Sequence, residues 1–185
     1  STQSPNLLDD NRRLHEQLVD GVQVEYEQNG EQVGRFVNPI DFDNPENNDW
    51  LITTQFTVQI GDKPRRRPDM VVFINGLPIS VLEFKNPTDP KATLENAYDQ
   101  VNNRYWNDIP RLLRYNEVVG LMSMNEALVG GLKAGWEWYR PWRYIEDEGD
   151  DPDYSEEEVL LRGVFGKERL LDLIENFVVF SDKDG

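Results

Sequence analysis

Two short apolar runs joined by Asn75-Gly76 constrain the fold more than any other part of the sequence. Residues 70–74 and 79–84 are almost continuously apolar and rich in Val and Ile, which indicates strands that are buried on both faces of a sheet. Asn-Gly between such runs is a strong signal for a β-hairpin. We therefore expect this hairpin at the centre of a sheet that is covered on both faces.

Helical and extended patterns alternate along the remaining sequence. The segments predicted to be helices are residues 7–19, 90–106 and 167–179. Those predicted to be strands are residues 22–26, 33–37, 51–60 and 117–124. In a chain of 185 residues, this order predicts one α/β unit with a central mixed sheet flanked by helices.

Composition narrows the chemistry that the chain can perform. It contains no Cys and a single His, His15, so disulfides, thiolate nucleophiles and multi-histidine metal sites are excluded. Any metal must be held mainly by oxygen ligands, which favours Mg²⁺ or a similar hard cation. No apolar stretch approaches the roughly 20 residues that span a bilayer, so no membrane partner is expected.

The net charge of −16 opposes binding to DNA, because DNA binding neutralises phosphates with Lys and Arg. The charge is unevenly distributed, however. Residues 61–115 hold nine Lys or Arg against seven Asp or Glu, whereas residues 146–158 read EDEGDDPDYSEEE. That acidic run fits a solvated loop or an interaction tail.

Three charged residues, Asp69, Glu83 and Lys85, interrupt the apolar strands. Glu83 and Lys85 are two apart and therefore lie on one face of their strand. A buried carboxylate costs several kcal/mol unless it is paired, hydrogen-bonded or bound to a metal. From spacing alone, the three residues fit either structural ion pairs or a metal site with a nearby lysine.

The segment PDMVVFINGLPISVLEFKNP resembles the Pro-Asp…(Asp/Glu)-x-Lys nuclease core. With its Asn-Gly-Leu-Pro turn, the segment resembles more specifically the N-terminal endonuclease domain of the R subunit of type I restriction enzymes. Four further stretches agree in order: DFDNPENNDWLITTQFTV, NDIPRLLRYNEVVGLM, WEWYRPWR and LLRGVFGKERLLDLIENFVVF. The resemblance implies a restriction-endonuclease-like fold in which Asp69 and Glu83 bind Mg²⁺ and Lys85 is catalytic, with the Phe84 carbonyl as a further candidate ligand.

The same resemblance implies a setting for the activity. It implies an endonuclease that cuts duplex DNA without sequence recognition in the prokaryotic cytoplasm, together with modification and specificity subunits. The chain lacks a Gly-x-x-x-x-Gly-Lys-Ser/Thr motif, so the ATP-driven translocase of that family is expected outside this segment. Residues 1–165 would form the nuclease domain and residues 166–185 a helix leading into the translocase. A stand-alone nuclease and an inactive interaction module of the same fold are the alternatives.

Members of that family carry Gln-x-x-x-Tyr on the helix after the core, where it supports the active site. Here Gln100 and Tyr105 are five residues apart, with Arg104 at the fourth position. In a regular helix one residue corresponds to about 100° of rotation. Either the helix bulges, or Gln100 and Arg104 act together, or Gln100 is an ordinary exposed residue.

Arg65, Arg66 and Arg67 directly precede the Pro-Asp pair. With Arg104 they are candidates for contacts to DNA phosphates, which position a duplex without reading its bases. A solvated strand entry is the alternative for the three consecutive arginines. His15 and Glu16 are interpreted as surface residues of the first helix.

The length of the turn decides whether the two carboxylates can meet. A two-residue turn at Asn75-Gly76 would place Asp69 opposite Leu82, with Glu83 on the other face. A three-residue turn would place Asp69 opposite Glu83. We therefore predict a three-residue turn, or a bulge that restores the same register.

Overall fold

A five-stranded mixed sheet forms the centre of the protein. The computed structural model describes residues 7–86, 88, 93–124, 126–146 and 153–180. In sheet order, the strands are β3 (Trp50–Thr54), β4 (Met70–Ile74), β5 (Leu77–Lys85), β6 (Val118–Ser123) and β7 (Glu126–Gly131). Strands β5 and β6 are parallel, and the other neighbouring strands are antiparallel. A separate two-stranded ribbon consists of β1 (Val22–Gln28) and β2 (Glu31–Val37).

Helices cover both faces of the sheet. They are α1 (Leu7–Asp20), α2 (Leu94–Asp99), α3 (Trp106–Asp108), α4 (Pro110–Leu113), α5 (Glu156–Val164) and α6 (Lys167–Phe177), with a π-helix at Gln100–Tyr105 and 3₁₀ turns at Pro45–Asn47 and Trp136–Trp138. Helices α1, α5 and α6 pack with Leu82 in one buried cluster. Helices α2 and α4 and the π-helix pack with Val81 in another. The predicted α/β architecture with a mixed sheet between helices is confirmed.

The central hairpin reaches the required register by a bulge. Its turn has two residues, because Ile74 pairs with Leu77 and both Asn75 and Gly76 have positive φ angles of 51° and 80°, as Asn-Gly turns favour. The predicted three-residue turn is therefore wrong. The register then shifts so that Val72 pairs with Ser80, and the extra residue, Ile79, is fully buried. The bulge thus restores the register that places Asp69 opposite Glu83, which was the stated alternative to a three-residue turn.

Several elements differ from the sequence-based expectation. The strand predicted over residues 51–60 ends at Thr54, because Gln55 adopts a left-handed backbone conformation with φ 53°. Strand β7 and helix α5 were not predicted. Helix α5 begins inside the acidic run, where the Ser155 side chain accepts a hydrogen bond from the Glu158 amide, an N-terminal cap that the sequence signals. Residues 147–152 of that run, and residues 90–92 of the predicted helix start, lie outside the described residues.

Helix α1 is anchored by a buried polar contact. His15 Nδ1 lies 2.8 Å from Glu117 Oε2, and the His15 side chain is only 12% exposed, so the surface interpretation of His15 is wrong. Burial raises the pKa of Glu117, against the lowering effect of its hydrogen bond with His15. Glu117 directly precedes β6, at the end of the sheet opposite to Lys85. The contact therefore supports the fold at a distance from the charged strand residues.

At the other end of the chain, α6 packs into the core. Leu170, Leu171 and Ile174 are buried in the same cluster as Leu82 of the central hairpin. The proposed division between residues 165 and 166 stays a prediction. No helix within the described ranges is long and apolar enough to cross a bilayer.

We predict that Gly163→Ala lowers the free energy of unfolding by about 2 kcal/mol, the usual effect of overpacking. A methyl group at Gly163 in α5 would collide with the carbonyl oxygen of Tyr144 and come within 2.5 Å of the Trp142 indole. Thermal denaturation measures the loss. Gly131→Ala is the control, because its new methyl group would lie 4.0 Å from Ala134. Equal stability of the two variants would contradict this packing.

Candidate active site

The central hairpin places three charged side chains on one face of the sheet. Met70 pairs with Leu82, so the preceding residue, Asp69, lies across from Glu83. Val81, two residues before Glu83, belongs to the cluster formed with α2 and the π-helix. Since alternate strand residues share a face, Glu83 and Lys85 point to that same layer.

Asp69 and Glu83 are tied together through the main chain. The Asp69 amide donates to Glu83 Oε1 at 3.3 Å, and the Phe84 amide donates to Asp69 Oδ2 at 2.9 Å. The Asp69 carbonyl in turn accepts from the Gln55 amide at 2.8 Å. The left-handed turn at Gln55 therefore also fixes the position of Asp69 beside Glu83.

The Glu83 carboxylate is held by two side chains from the π-helix. The Tyr105 hydroxyl donates to Glu83 Oε1 at 2.7 Å, and Gln100 Nε2 donates to Glu83 Oε2 at 2.6 Å. Gln100 Nε2 also donates to the Tyr105 hydroxyl at 2.6 Å. Glu83 is 1% exposed, so these donors replace the water that a carboxylate normally binds.

Gln100 also positions the lysine. Lys85 Nζ donates to Gln100 Oε1 at 2.6 Å, so the two ends of one amide group hold Lys85 and Glu83. The contacts fix the orientation of the amide, with its oxygen towards Lys85 and its nitrogen towards Glu83. Asp69, Glu83, Lys85, Gln100 and Tyr105, all predicted from the sequence, therefore form one cluster, which we call the carboxylate cluster.

The π-helix explains the spacing of five between Gln100 and Tyr105. Within it, the Trp106 amide donates to the Val101 carbonyl, five residues earlier, which is the hydrogen-bond pattern of a π-helix. Residues five apart then lie on one side, and both side chains reach Glu83. Of the three interpretations of the Gln100–Tyr105 spacing, the structure therefore supports the bulged helix. Arg104 is exposed and pairs with Asp99 at 3.2 Å, outside the carboxylate cluster.

Burial and like charge change the acidity of the cluster. Desolvation and the neighbouring charge of Asp69 raise the pKa of Glu83 to about 8, despite the opposing effects of the Tyr105 hydrogen bond and the charge of Lys85. Desolvation and the charge of Glu83 also raise the pKa of Tyr105. Tyr105 therefore remains a neutral hydrogen-bond donor at neutral pH.

The donor set of the cluster fits a hard divalent cation. Two carboxylates share one small volume, and burial together with the charge of Asp69 raises the pKa of Glu83, an effect that a bound cation would oppose. Within the described residues, no three His, Asp or Glu side chains come close enough to form a metal cage. A cation would therefore complete its coordination with water and substrate oxygens, as Mg²⁺ commonly does.

The four candidate DNA-binding arginines differ in their surroundings. Arg66 is engaged within the protein, because its guanidinium lies 2.6 and 2.7 Å from Asp108 Oδ2. Arg65 and Arg67, on either side of it, are exposed, and Arg104 carries the exposed pair with Asp99 already described. The DNA contacts of all four residues stay a prediction, with Arg65 and Arg67 the more accessible.

One buried residue of the π-helix was missed by the sequence analysis. Asn102 is 1% exposed and bonds to Tyr139 and to the amide of Lys133. The available signal was an Asn-Asn pair inside a predicted helix at the position of the irregular Gln-Tyr spacing, since Asn is a poor interior helix residue. The pair marked the place where the regular helix is interrupted.

Comparison with known proteins agrees with the resemblance. The family described as "Type I restriction enzyme R protein N terminus" matches residues 1–138. The type I restriction enzyme HindI endonuclease subunit of Haemophilus influenzae is 34% identical over 179 residues, which covers 95% of this chain and 17% of that protein. The putative type I restriction enzyme MjaIXP endonuclease subunit of Methanocaldococcus jannaschii is 32% identical over 189 residues, covering 92% of this chain and 18% of that protein.

The chain thus spans less than a fifth of the length of these two curated relatives. The family match extends over strands β1 to β7 and the whole carboxylate cluster. The predicted resemblance is confirmed, and the chain belongs to the family of type I restriction enzyme R protein N-terminal domains.

Proposed function

We propose that this chain is the nuclease domain of a type I restriction enzyme and hydrolyses phosphodiester bonds of duplex DNA with the help of Mg²⁺. The observation that carries the proposal is the carboxylate cluster, in which Asp69, Glu83 and Lys85 meet on one sheet face under Gln100 and Tyr105. The names of the relatives, which are endonuclease subunits, support it.

Each residue of the cluster has a role in this proposal. Asp69 and Glu83 would hold the cation, which when bound supplies Lewis-acid stabilisation of the phosphate and lowers the pKa of a water molecule. Lys85 donates to the negative charge that develops on the scissile phosphate or orients the attacking water. Gln100 holds the Lys85 ammonium beside the carboxylates, and Tyr105 fixes one oxygen of Glu83.

The wider setting is proposed from the family resemblance and from the greater length of the relatives. We propose that the nuclease acts within a complex that contains modification and specificity subunits and an ATP-driven motor outside this segment, and that it cuts without reading sequence. The cluster disfavours the inactive-module alternative, because its charges and donors form an intact network. Cleavage by the assembled enzyme, but not by the segment alone, would disfavour the stand-alone alternative.

We expect Lys85→Ala to abolish DNA cleavage by the full-length enzyme, with a loss of two or more orders of magnitude in rate, as when an oxyanion-stabilising donor is removed. Thermal stability and subunit assembly should change little, because Lys85 is only partly buried. Nicking and linearisation of plasmid DNA measure the effect. Lys63→Ala, which removes the same charge from a half-buried site bonded to the Asn107 carbonyl, should retain activity. Near wild-type cleavage by Lys85→Ala would exclude Lys85 from the mechanism.

The raised pKa of Glu83, about 8, predicts a pH-dependent effect of Glu83→Gln on metal-free protein. A carboxyl whose pKa is raised on folding contributes stability below its unfolded pKa, near 4.5, and loses it as pH rises through 8. The free energy of unfolding of Glu83→Gln should therefore match that of the wild type below pH 4.5 and exceed it above pH 8 by on the order of 5 kcal/mol. Denaturant titrations across this pH range measure the difference.

Magnesium should reduce this difference, because it stabilises a wild-type chain that binds it and has little effect on the Gln variant. Glu95→Gln, at an exposed position of α2, serves as the control and should show neither effect. If the free energy of unfolding of wild type and of Glu83→Gln depended on pH in the same way, the raised pKa of Glu83 would be refuted.

We expect this segment alone to bind duplex DNA weakly and without sequence preference. Its net charge of −16 repels a polyanion, and Arg66 is engaged with Asp108, so affinity must come mainly from partners. Fluorescence anisotropy with duplexes of different sequence, at several salt concentrations, measures the binding. A tight, sequence-specific complex of the isolated segment would contradict the proposal that other subunits deliver the DNA.

A further inference from the structure

The π-helix needs hydrogen-bond donors from outside its own backbone. In an α-helix the carbonyl of each residue accepts from the amide four residues later, so the Asn102 carbonyl would accept from the Trp106 amide. That amide instead donates to the carbonyls of Val101 and Asn103. Buried carbonyl groups are costly without partners, so a donor from outside the helix that reaches the Asn102 carbonyl stabilises the π conformation.

Two side chains donate to main-chain carbonyls of this part of the helix. Lys133 Nζ donates to the Asn102 carbonyl at 3.0 Å, and Asn102 Nδ2 donates to the Tyr98 carbonyl at 3.3 Å. The Asn102 side-chain oxygen accepts from the Lys133 amide at 2.7 Å. Asn102 and Lys133 therefore bond reciprocally, side chain to main chain, and we call this pair the π-clamp.

The π-clamp is itself fixed by the segment that follows β7. Asn102 Nδ2 also donates to the Tyr139 hydroxyl at 3.1 Å, and that hydroxyl donates to the Gly131 carbonyl at 2.9 Å. Lys133 has a left-handed backbone with φ 62°, and its ammonium lies 4.9 Å from the centre of the Trp106 ring. The residue that follows the π-helix is thus held by the same lysine.

The conformation of the π-helix determines the geometry around Glu83. Gln100 and Tyr105, five residues apart, both donate to the Glu83 carboxylate because the i→i+5 hydrogen bonding of the π-helix widens the turn between them. If these residues formed an α-helix, Tyr105 would be rotated about 100° beyond the position that faces Gln100. Either Gln100 would keep its hydrogen bonds to Glu83 and Lys85 while Tyr105 lost its bond to Glu83, or Tyr105 would keep its bond to Glu83 while Gln100 lost both of its bonds.

We propose that the π-clamp of Asn102 and Lys133 positions the nuclease site by holding the helix after the core in its π conformation. The inference rests on the proposed function, because it assigns positioning residues to that same site. Asn102 lies behind the carboxylate cluster and bonds to Tyr98, Tyr139 and Lys133. Its effect on cleavage acts through Gln100 and Tyr105.

The test compares two neighbouring asparagines in the full-length enzyme. Asn102→Ala removes the side chain that forms the π-clamp. Asn103→Ala alters an exposed residue whose side chain, within the described contacts, bonds only to Asp99. We expect Asn102→Ala to lower kcat by on the order of 100-fold with KM for DNA little changed, as displacement of a catalytic group does. Asn103→Ala should stay within about twofold of wild type, the range of neutral surface changes.

A deletion distinguishes positioning from a loss of stability. Removal of Asn103 brings Gln100 and Tyr105 to a spacing of four, which an ordinary α-helix places on one face without a π-helix. In that background, Asn102→Ala should change kcat by no more than about threefold, since no π conformation remains to be held. An equal loss of kcat in both backgrounds would overturn the proposal.

Hydrogen exchange gives a readout that does not depend on activity. Backbone amides of residues 100–106 should exchange faster in Asn102→Ala than in Asn103→Ala, because the clamped turn opens more often. Equal exchange rates in the two variants would overturn the proposal that the π-clamp holds the π-helix. A wild-type enzyme that does not cut DNA would refute the proposed function, but the difference in exchange rates would still support the π-clamp. If Asn102→Ala does not fold, Lys133→Met, which removes an ammonium at an exposed residue, gives the same comparison.

Discussion

The buried carboxylate of Glu83 is the constraint on which the rest of the site depends. Placing an ionised carboxyl group in a sheet interior costs several kcal/mol unless donors surround it. Here there are three donors: the Asp69 amide directly before β4, and Gln100 and Tyr105 on the helix that covers the sheet. These donors do not fully offset burial and the neighbouring charge of Asp69, so the pKa of Glu83 is raised to about 8.

Two irregularities, each of one residue, bring these groups together. The bulge at Ile79 returns Glu83 to the face of Asp69 after a two-residue turn had set the opposite register. The π-helix returns Tyr105 to the face of Gln100. Both irregularities lie in well-packed surroundings, since Ile79 is fully buried and Asn102 is 1% exposed. Each local departure from regular geometry is therefore stabilised by tertiary contacts, and neither would be expected to persist in an isolated peptide.

Sequence reasoning recovered the residues of the site better than their geometry. Asp69, Glu83 and Lys85 are charges within apolar strands, and the resemblance assigned their roles. The turn length was mispredicted because the choice between a longer turn and a bulge depends on whether Ile79 can be buried, which is a tertiary property. The Gln100 and Tyr105 spacing left three interpretations open, because the contacts that select the π-helix come from Lys133, 31 positions further along the chain than Asn102. The pairing of Arg66 with Asp108 was equally invisible in the local sequence.

The bulge and the π-helix also bear on how such sites can be recognised in other chains. A search that counts residues between Asp and Glu, or between Gln and Tyr, treats a one-residue difference as a mismatch. Here the carboxylate cluster keeps its hydrogen bonds across a bulged strand and a widened helical turn. Spacing along the chain and proximity in space are thus partly independent quantities in this protein, and a one-residue alignment gap at either place does not by itself indicate a different site.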